Sequence, residues 1–145
     1  MVKLTYTKVS PDICRTNRTF YKNHVRRAFI MWCAYEGYFD GAFSKSEIKK
    51  AKRGTLPEDC NIHHRLPLSG GTGDFINDFD NLTVLHKATH EWINKEVFSP
   101  QLRAITNAPF GTQIEIDVPD FGYVDVEGIK KERRLKQRIR KSNER

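Results

Sequence analysis

Two histidines stand side by side at His63 and His64, and a third, His90, is followed four residues later by Asn94. Side chains four apart on a helix share a face, so His90 and Asn94 can close on a single ion. Neighbours on a strand diverge, so one of His63 and His64 can reach a metal while the other faces a water. A neutral imidazole suits both tasks, because it ligates transition metals and, with an unperturbed pKa of about 6.5, takes up a proton near neutral pH. Phosphodiester hydrolysis needs such a set: a deprotonated water, a cation against the phosphate and help for the leaving oxygen. An amide and imidazoles, rather than carboxylates, make a low-charge site that accepts Zn²⁺, Ni²⁺, Co²⁺ or Mn²⁺ as readily as Mg²⁺.

The pattern around these residues predicts the elements that hold them. Residues 60–64 read as a strand and residues 82–85 as its return, with a Gly- and Asp-rich loop over 69–80. A helix over 87–97 then carries His90 and Asn94, with Trp92 and Ile93 read as core. Upstream, Asn17 is placed to cap a helix whose apolar face is Tyr21, Val25, Phe29 and Trp32, with Lys22, Arg26 and Arg27 largely opposite. Ser44-Lys45-Ser46-Glu47 spells a capping box and so a short helix ending at Gly54. Downstream, residues 113–118 alternate cleanly and turn at Pro119-Asp120 into residues 123–126, which predicts a C-terminal hairpin. Residues 129–145 form a charge run that reads equally as a basic helix or a frayed tail. The whole chain, 1–145, reads as one α+β domain.

Charge is distributed unevenly. Residues 1–53 carry 12 Lys/Arg against 4 Asp/Glu, residues 54–128 carry 4 against 12, and residues 129–145 carry 9 against 2. The histidine-bearing segment is therefore acidic between two basic flanks. A polyanion would need those flanks, or a bound cation, to approach it. Arg65, Arg26, Arg27, Lys130, Lys131, Arg133 and Arg134 are the phosphate-contact candidates. Cys14, Cys33 and Cys60 are odd in number and without a Cys-x-x-Cys pair, which speaks against a disulfide framework and a cysteine-based zinc site. No apolar run reaches membrane-spanning length.

Taken in order, His63-His64, Pro67 with Gly70-Gly71, Asn81-Leu82, His90 and Asn94 resemble the HNH, or His-Me finger, nucleases over roughly residues 55–98. The resemblance implies a ββα-metal finger with a helical N-terminal half. It also implies His63, His90 and Asn94 as ligands of one divalent ion and His64 as the general base. Asn81 would fasten the hairpin that fixes the base, and His86 would close the hairpin or support a ligand. Gly70, Gly71 and Gly73 would bring backbone close to a phosphate or simply turn the chain. The implied activity is endonucleolytic cleavage of nucleic acid, DNA before RNA, with little sequence preference. Upstream, Asn17-Arg18-Thr19-Phe20, Arg26-Arg27-Ala28-Phe29 and Gly54-Thr55-Leu56-Pro57 are similar to HNH toxin nucleases at the C-terminal ends of bacterial effectors. Such a domain is delivered by a secretion system, acts in the target cytoplasm and is neutralised by an immunity protein, here with an acidic face. The basic tail equally suits a free-standing phage or mobile-element enzyme acting in the infected cell. A non-catalytic nucleic-acid-binding module held by structural zinc is the rival class, and its lack of cysteine ligands counts against it.

Overall fold

The computed structural model describes residues 1–144, so Arg145 at the end of the basic run lies outside the described residues. Strand β1 (Val2–Thr7) leads into α1 (Pro11–Phe20), whose cap is Ser10: its hydroxyl accepts the Ile13 N–H at 3.3 Å. A wide π-helical turn over Tyr21–Val25 joins α1 to α2 (Arg26–Tyr35). The helix thus starts before Asn17, which the sequence reading placed at its cap. Asn17 is buried in mid-helix, and its amide serves a distant loop instead, donating to the Leu68 carbonyl at 3.1 Å and the Gly71 carbonyl at 2.8 Å. Helix α3 (Lys45–Ala51) has the expected capping box, with Ser44 Oγ accepting from Glu47 N and Glu47 Oε1 accepting from Ser44 N.

The centre of the chain is an antiparallel hairpin, β2 (Cys60–His64) and β3 (Leu82–His86), with His63 opposite Thr83 and His64 opposite Leu82. Helix α4 (Lys87–Trp92) follows at once, continues as a second π-helical stretch over Ile93–Phe98 and ends in α5 (Ser99–Leu102). Strand β4 (Gln113–Val118) and the long helix α6 (Val126–Asn143) complete the chain. The fold is α+β, with helices around two small antiparallel sheets among the described residues.

The expected C-terminal hairpin does not form. β4 instead pairs with β1, with Leu4 opposite Ile116 and Val2 opposite Val118. Residues past the turn run beside β3, where Val84 donates to the Tyr123 carbonyl and Asp125 donates to the Val84 carbonyl. The reason is burial: Val124 gains a place in the core next to Val84, and Ile116 and Val118 gain one across from β1. Turn propensity at Pro119 could not outweigh that, since burying one such side chain contributes about 1.5–3 kcal/mol.

The central hairpin lies between two cores. Leu82 and Val84 face a cluster built on Phe29, Ile30, Phe39 and Ile129, while Leu85 faces a second cluster with Ile93, Ile116 and Val118. Ile93 is core as expected, but Trp92 is 49% exposed and is not. Among the described residues no helix is long and apolar enough to cross a membrane.

Candidate functional site

Strand alternation sends the paired histidines to opposite walls at one end of the hairpin. His64, on the α1–α2 side, meets the edge of Tyr21 with ring centroids 4.6 Å apart. His63, on the α4 side, stacks on Phe98 at 5.4 Å and meets His90 edge-on at 5.5 Å. All three rings, with Asn94, border one cavity of about 460 Å³ that Arg18, Cys14 and Tyr21 also line. Both π-helical turns contribute to this cavity, one through Tyr21 and the other through Asn94 and Phe98. Widened turns of this kind displace side chains from regular helical positions.

The hydrogen bonds at His64 choose its tautomer. Asn77 donates its amide to the Asn17 carbonyl at 3.0 Å, so its Oδ1 is turned to His64 Nε2, 3.1 Å away. An amide oxygen only accepts, so Nε2 carries the proton and Nδ1 keeps its lone pair. Burial pushes the His64 pKa down to about 4, against the raising effect of the Asn77 hydrogen bond, so the ring is neutral at physiological pH. Burial also lowers His90, and with the neighbouring His90, His64 and Arg65 it takes His63 down to about 3.

His63 is 1% exposed, and its Nε2 is buried without a hydrogen-bond partner among the described residues. A buried, unsatisfied polar nitrogen costs about 1–3 kcal/mol. Arg65 Nε and His86 Nε2 are likewise unbonded, but each side chain has a carboxylate nearby, Asp120 at 3.7 Å from Arg65 and Asp59 at 3.8 Å from His86. His63 has no such compensation. Opposite it, Asn61 Nδ2 lies 3.3 Å from His90 Nδ1 and donates to it, which puts the ring proton on Nε2; the Asn61 amide turned end for end would instead accept Nδ1–H and free the Nε2 lone pair for an ion. Among the described residues no three His, Cys, Asp or Glu side chains gather in metal-binding geometry, so the donor set is two imidazoles plus the exposed Asn94 amide. Two borderline nitrogen donors, one of them orphaned, beside a cavity of about 460 Å³ fit a divalent transition ion with open positions.

Asn81 does not reach the cavity. It is 1% exposed, and its side chain clasps the chain just past His64: Oδ1 accepts from Leu66 N at 2.8 Å, while Nδ2 donates to the carbonyls of Leu66 and Ile76. His86 is away from the cavity too, where its Nδ1 accepts from Ala88 N and caps α4. Gly70 is required by packing, since any side chain there would run into the Tyr6 ring.

The basic candidates separate. Arg26 is exposed on the same helix as Arg18, whereas the Arg27 side chain lies across Gly54 and donates to the Arg53 carbonyl. Arg65 is drawn to the Asp80 carbonyl and toward Asp120. Arg133, expected to be a phosphate contact, has all five of its N–H groups committed: to both oxygens of Asp59, to both oxygens of Glu47 and to the Ala42 carbonyl. Lys130 approaches Glu127 at 3.7 Å, while Lys131 and Arg134 are exposed. All four lie on α6, which runs from the core beside Val84 toward the Cys60 end of the hairpin. That end is about 13 Å of strand from His64.

Sequence reasoning missed Arg18, Tyr21, Asn17 and Asn77. Nothing in a short Asn- and Asp-rich loop marks Asn77 as a partner of His64, because the contact closes only when the 69–80 loop folds back onto α1.

A curated relative, the Uncharacterized protein YhhZ of Escherichia coli (strain K12), is 31% identical over 87 residues, 59% of this chain and 21% of the relative. The matched stretch thus spans about a fifth of that relative's length. No family model matches the chain, and no solved structure matches it.

Proposed function

We propose that this chain is a metal-dependent HNH-type endonuclease that hydrolyses phosphodiester bonds of DNA with little sequence preference. The observation that carries the reading is the division of labour at the hairpin end. His64 is a neutral base whose tautomer is set by Asn77, and it shares one cavity with His63, whose buried nitrogen has no partner, and with His90. Under this reading β2, β3 and α4 are the ββα-metal finger. His63 and His90 would hold one divalent ion, Zn²⁺, Mn²⁺, Ni²⁺, Co²⁺ or Mg²⁺, with Asn94 as a weaker donor. The ion supplies charge neutralisation at the phosphate and at the leaving oxygen.

Nδ1 of His64 takes the proton of the attacking water, and Nε2–H stays on Asn77 Oδ1, which offsets part of the cost of forming an imidazolium in a buried place. Tyr21 and Phe98 hold the two rings apart and exclude bulk water from their faces. Asn81 keeps Leu66 against the hairpin and thereby fixes the strand end that presents His64. As a toxin domain of a larger antibacterial effector, the enzyme would act in the target cell's cytoplasm and meet an acidic immunity protein. That role rests on the upstream resemblance.

Plasmid nicking by the purified chain with Mn²⁺, Ni²⁺ or Zn²⁺ tests the reading, beside EDTA-treated protein and matched RNA. Activity restored by an added ion and lost in His64→Ala is expected. No cleavage of either nucleic acid with any of these ions would remove the enzyme assignment, and ion-dependent folding without cleavage would favour the zinc-stabilised binding module.

A further inference from the structure

The acidic balance of residues 54–128 suggests a site that repels phosphate, but the surface around the histidines is not acidic. The histidine cavity opens into a second depression of about 590 Å³ that also includes Pro67, Ser69, Asn94 and Phe98. The two form one trough, and neither part is lined by an Asp or a Glu among the described residues. Glu91 adjoins His90 and acts on it from outside the trough, while other acids of that segment lie farther off, for instance Asp59 on Arg133, Asp117 on Lys3 and Asp80 on Tyr123.

Cations border the trough at both ends. Arg18 lines the part with the histidines, and Arg103 lines the part beyond Asn94. Lys22 and Arg26 follow Arg18 at four-residue intervals along the same helical stretch, across the π-helical turn Tyr21–Val25. Arg18, Lys22, Arg26 and Arg103 are all exposed, and none forms an ion pair with a described residue. Four exposed cations without a carboxylate partner among the described residues give this border a positive potential that an approaching anion would meet. A span of eight residues from Arg18 to Arg26 covers about 12 Å of helix. One strand of a duplex offers a phosphate every 3.4 Å or so of axis, hence three or four along that distance.

We infer that this trough is the path of a nucleic-acid backbone, held by Arg18, Lys22 and Arg26 on one side of the histidines and by Arg103 on the other. The inference rests on the nuclease reading and replaces α6 as the principal phosphate grip. Arg133 of α6 meets Asp59 beside the opposite end of the hairpin and is closed off by carboxylates.

The test is binding of a short fluorescein-labelled DNA duplex in EDTA, followed by anisotropy between about 50 and 200 mM salt. Arg18→Ala with Arg103→Ala should weaken binding and lower the slope of log affinity against log salt by about 0.9 per lost contact, near two in all. Lys22→Glu, an exposed change with no packing role, should weaken binding further by repelling the backbone. Replacing Lys136, Arg138 and Arg140 together by Ala should leave the slope much closer to that of the unaltered chain. An unchanged slope in the Arg18/Arg103 variant, with cleavage by the unaltered protein intact, overturns the path and spares the nuclease reading. A chain that neither binds nor cuts DNA overturns both.

Discussion

The two ends of the central hairpin both gather polar side chains and use them in opposite ways. At the Cys60–His86 end, one cation answers two carboxylates: Arg133 grips Asp59 and Glu47 with bonds of 2.9–3.0 Å and lies over the Phe43 ring. The Arg133 hydrogen bonds hold the Asp59 carboxyl below its usual range. They also outweigh burial at Glu47, which ends lowered as well. At the His64–Leu82 end, buried nitrogens face a cavity and one of them has no partner. The depression beside Arg133 is as large as any near the histidines, yet the guanidinium that lines it is spent on Asp59, Glu47 and the Ala42 carbonyl. The closed end pairs Arg133 with carboxylates, and at the open end the His63 Nε2 is buried without a hydrogen-bond partner among the described residues.

The sharpest way to break this contrast is His64→Ala. Loss of a general base slows cleavage by about 10²–10⁴-fold, while calorimetric titration should find metal affinity largely kept. Normal plasmid nicking by this variant would end the assignment of roles. Next in size is metal affinity itself: His90→Ala or His63→Ala deletes an imidazole donor, and Asn94→Ala removes only an amide that water can replace. Co²⁺ absorption spectra should therefore collapse in the first two variants and shift modestly in the third. A silent His90→Ala beside a damaging His86→Ala would mean that α4 presents the other histidine.

Arg133→Ala attacks the opposite end. It leaves Asp59 and Glu47 without their cation, and because all three side chains are about a quarter exposed the loss should be about 1–3 kcal/mol, below the value for a fully buried pair. Thermal denaturation should show it as a lower midpoint, with cleavage per folded molecule unchanged. A variant that folds normally but cannot cut would show that the two ends are coupled.

Acid separates the ends by pH. His63 and His64 titrate near 6.5 when unfolded but at about 3 and about 4 when folded, so the unfolded chain binds more protons in between. Their contribution is complete above about pH 6.5 and is lost as pH falls, each ring adding at most about 1.4 kcal/mol per pH unit. Asp59 and Glu47, depressed from 3.8 and 4.5, begin to give way only below those values. Denaturant midpoints of EDTA-treated protein should already decline from pH 6.5 to 5, and His63→Phe, which keeps the stack on Phe98, should flatten that decline. The smallest effect belongs to Asn77→Ala. Losing one neutral hydrogen bond, about 0.5–1.5 kcal/mol, should slow cleavage by a few-fold to about tenfold by freeing the His64 tautomer. An alkaline shift of the kcat profile, absent from an ordinary packing defect, would contradict the removal of that support.

Elements written in short-range patterns were legible before any coordinates. The Ser44–Glu47 capping box, the β2–β3 pair and the helix bearing His90 and Asn94 depend on residues within a few positions of each other, so composition and spacing suffice. The same holds for the identity of His63, His64, His90 and Asn94 as a group worth placing together. What lay beyond the sequence were contacts between distant segments. Asn17 looks like a cap because its neighbours are helical, yet its amide is claimed by Leu68 and Gly71. Residues 113–118 look like half of a hairpin, yet β1, at the other end of the chain, offers Ile116 and Val118 a buried partner. Arg133 looks like one more phosphate contact in a basic run, and only the packing of α6 on α3 and β2 turns it inward. Local propensities differ by tenths of a kcal/mol and long-range burial by several, so the tertiary structure decided each of these positions.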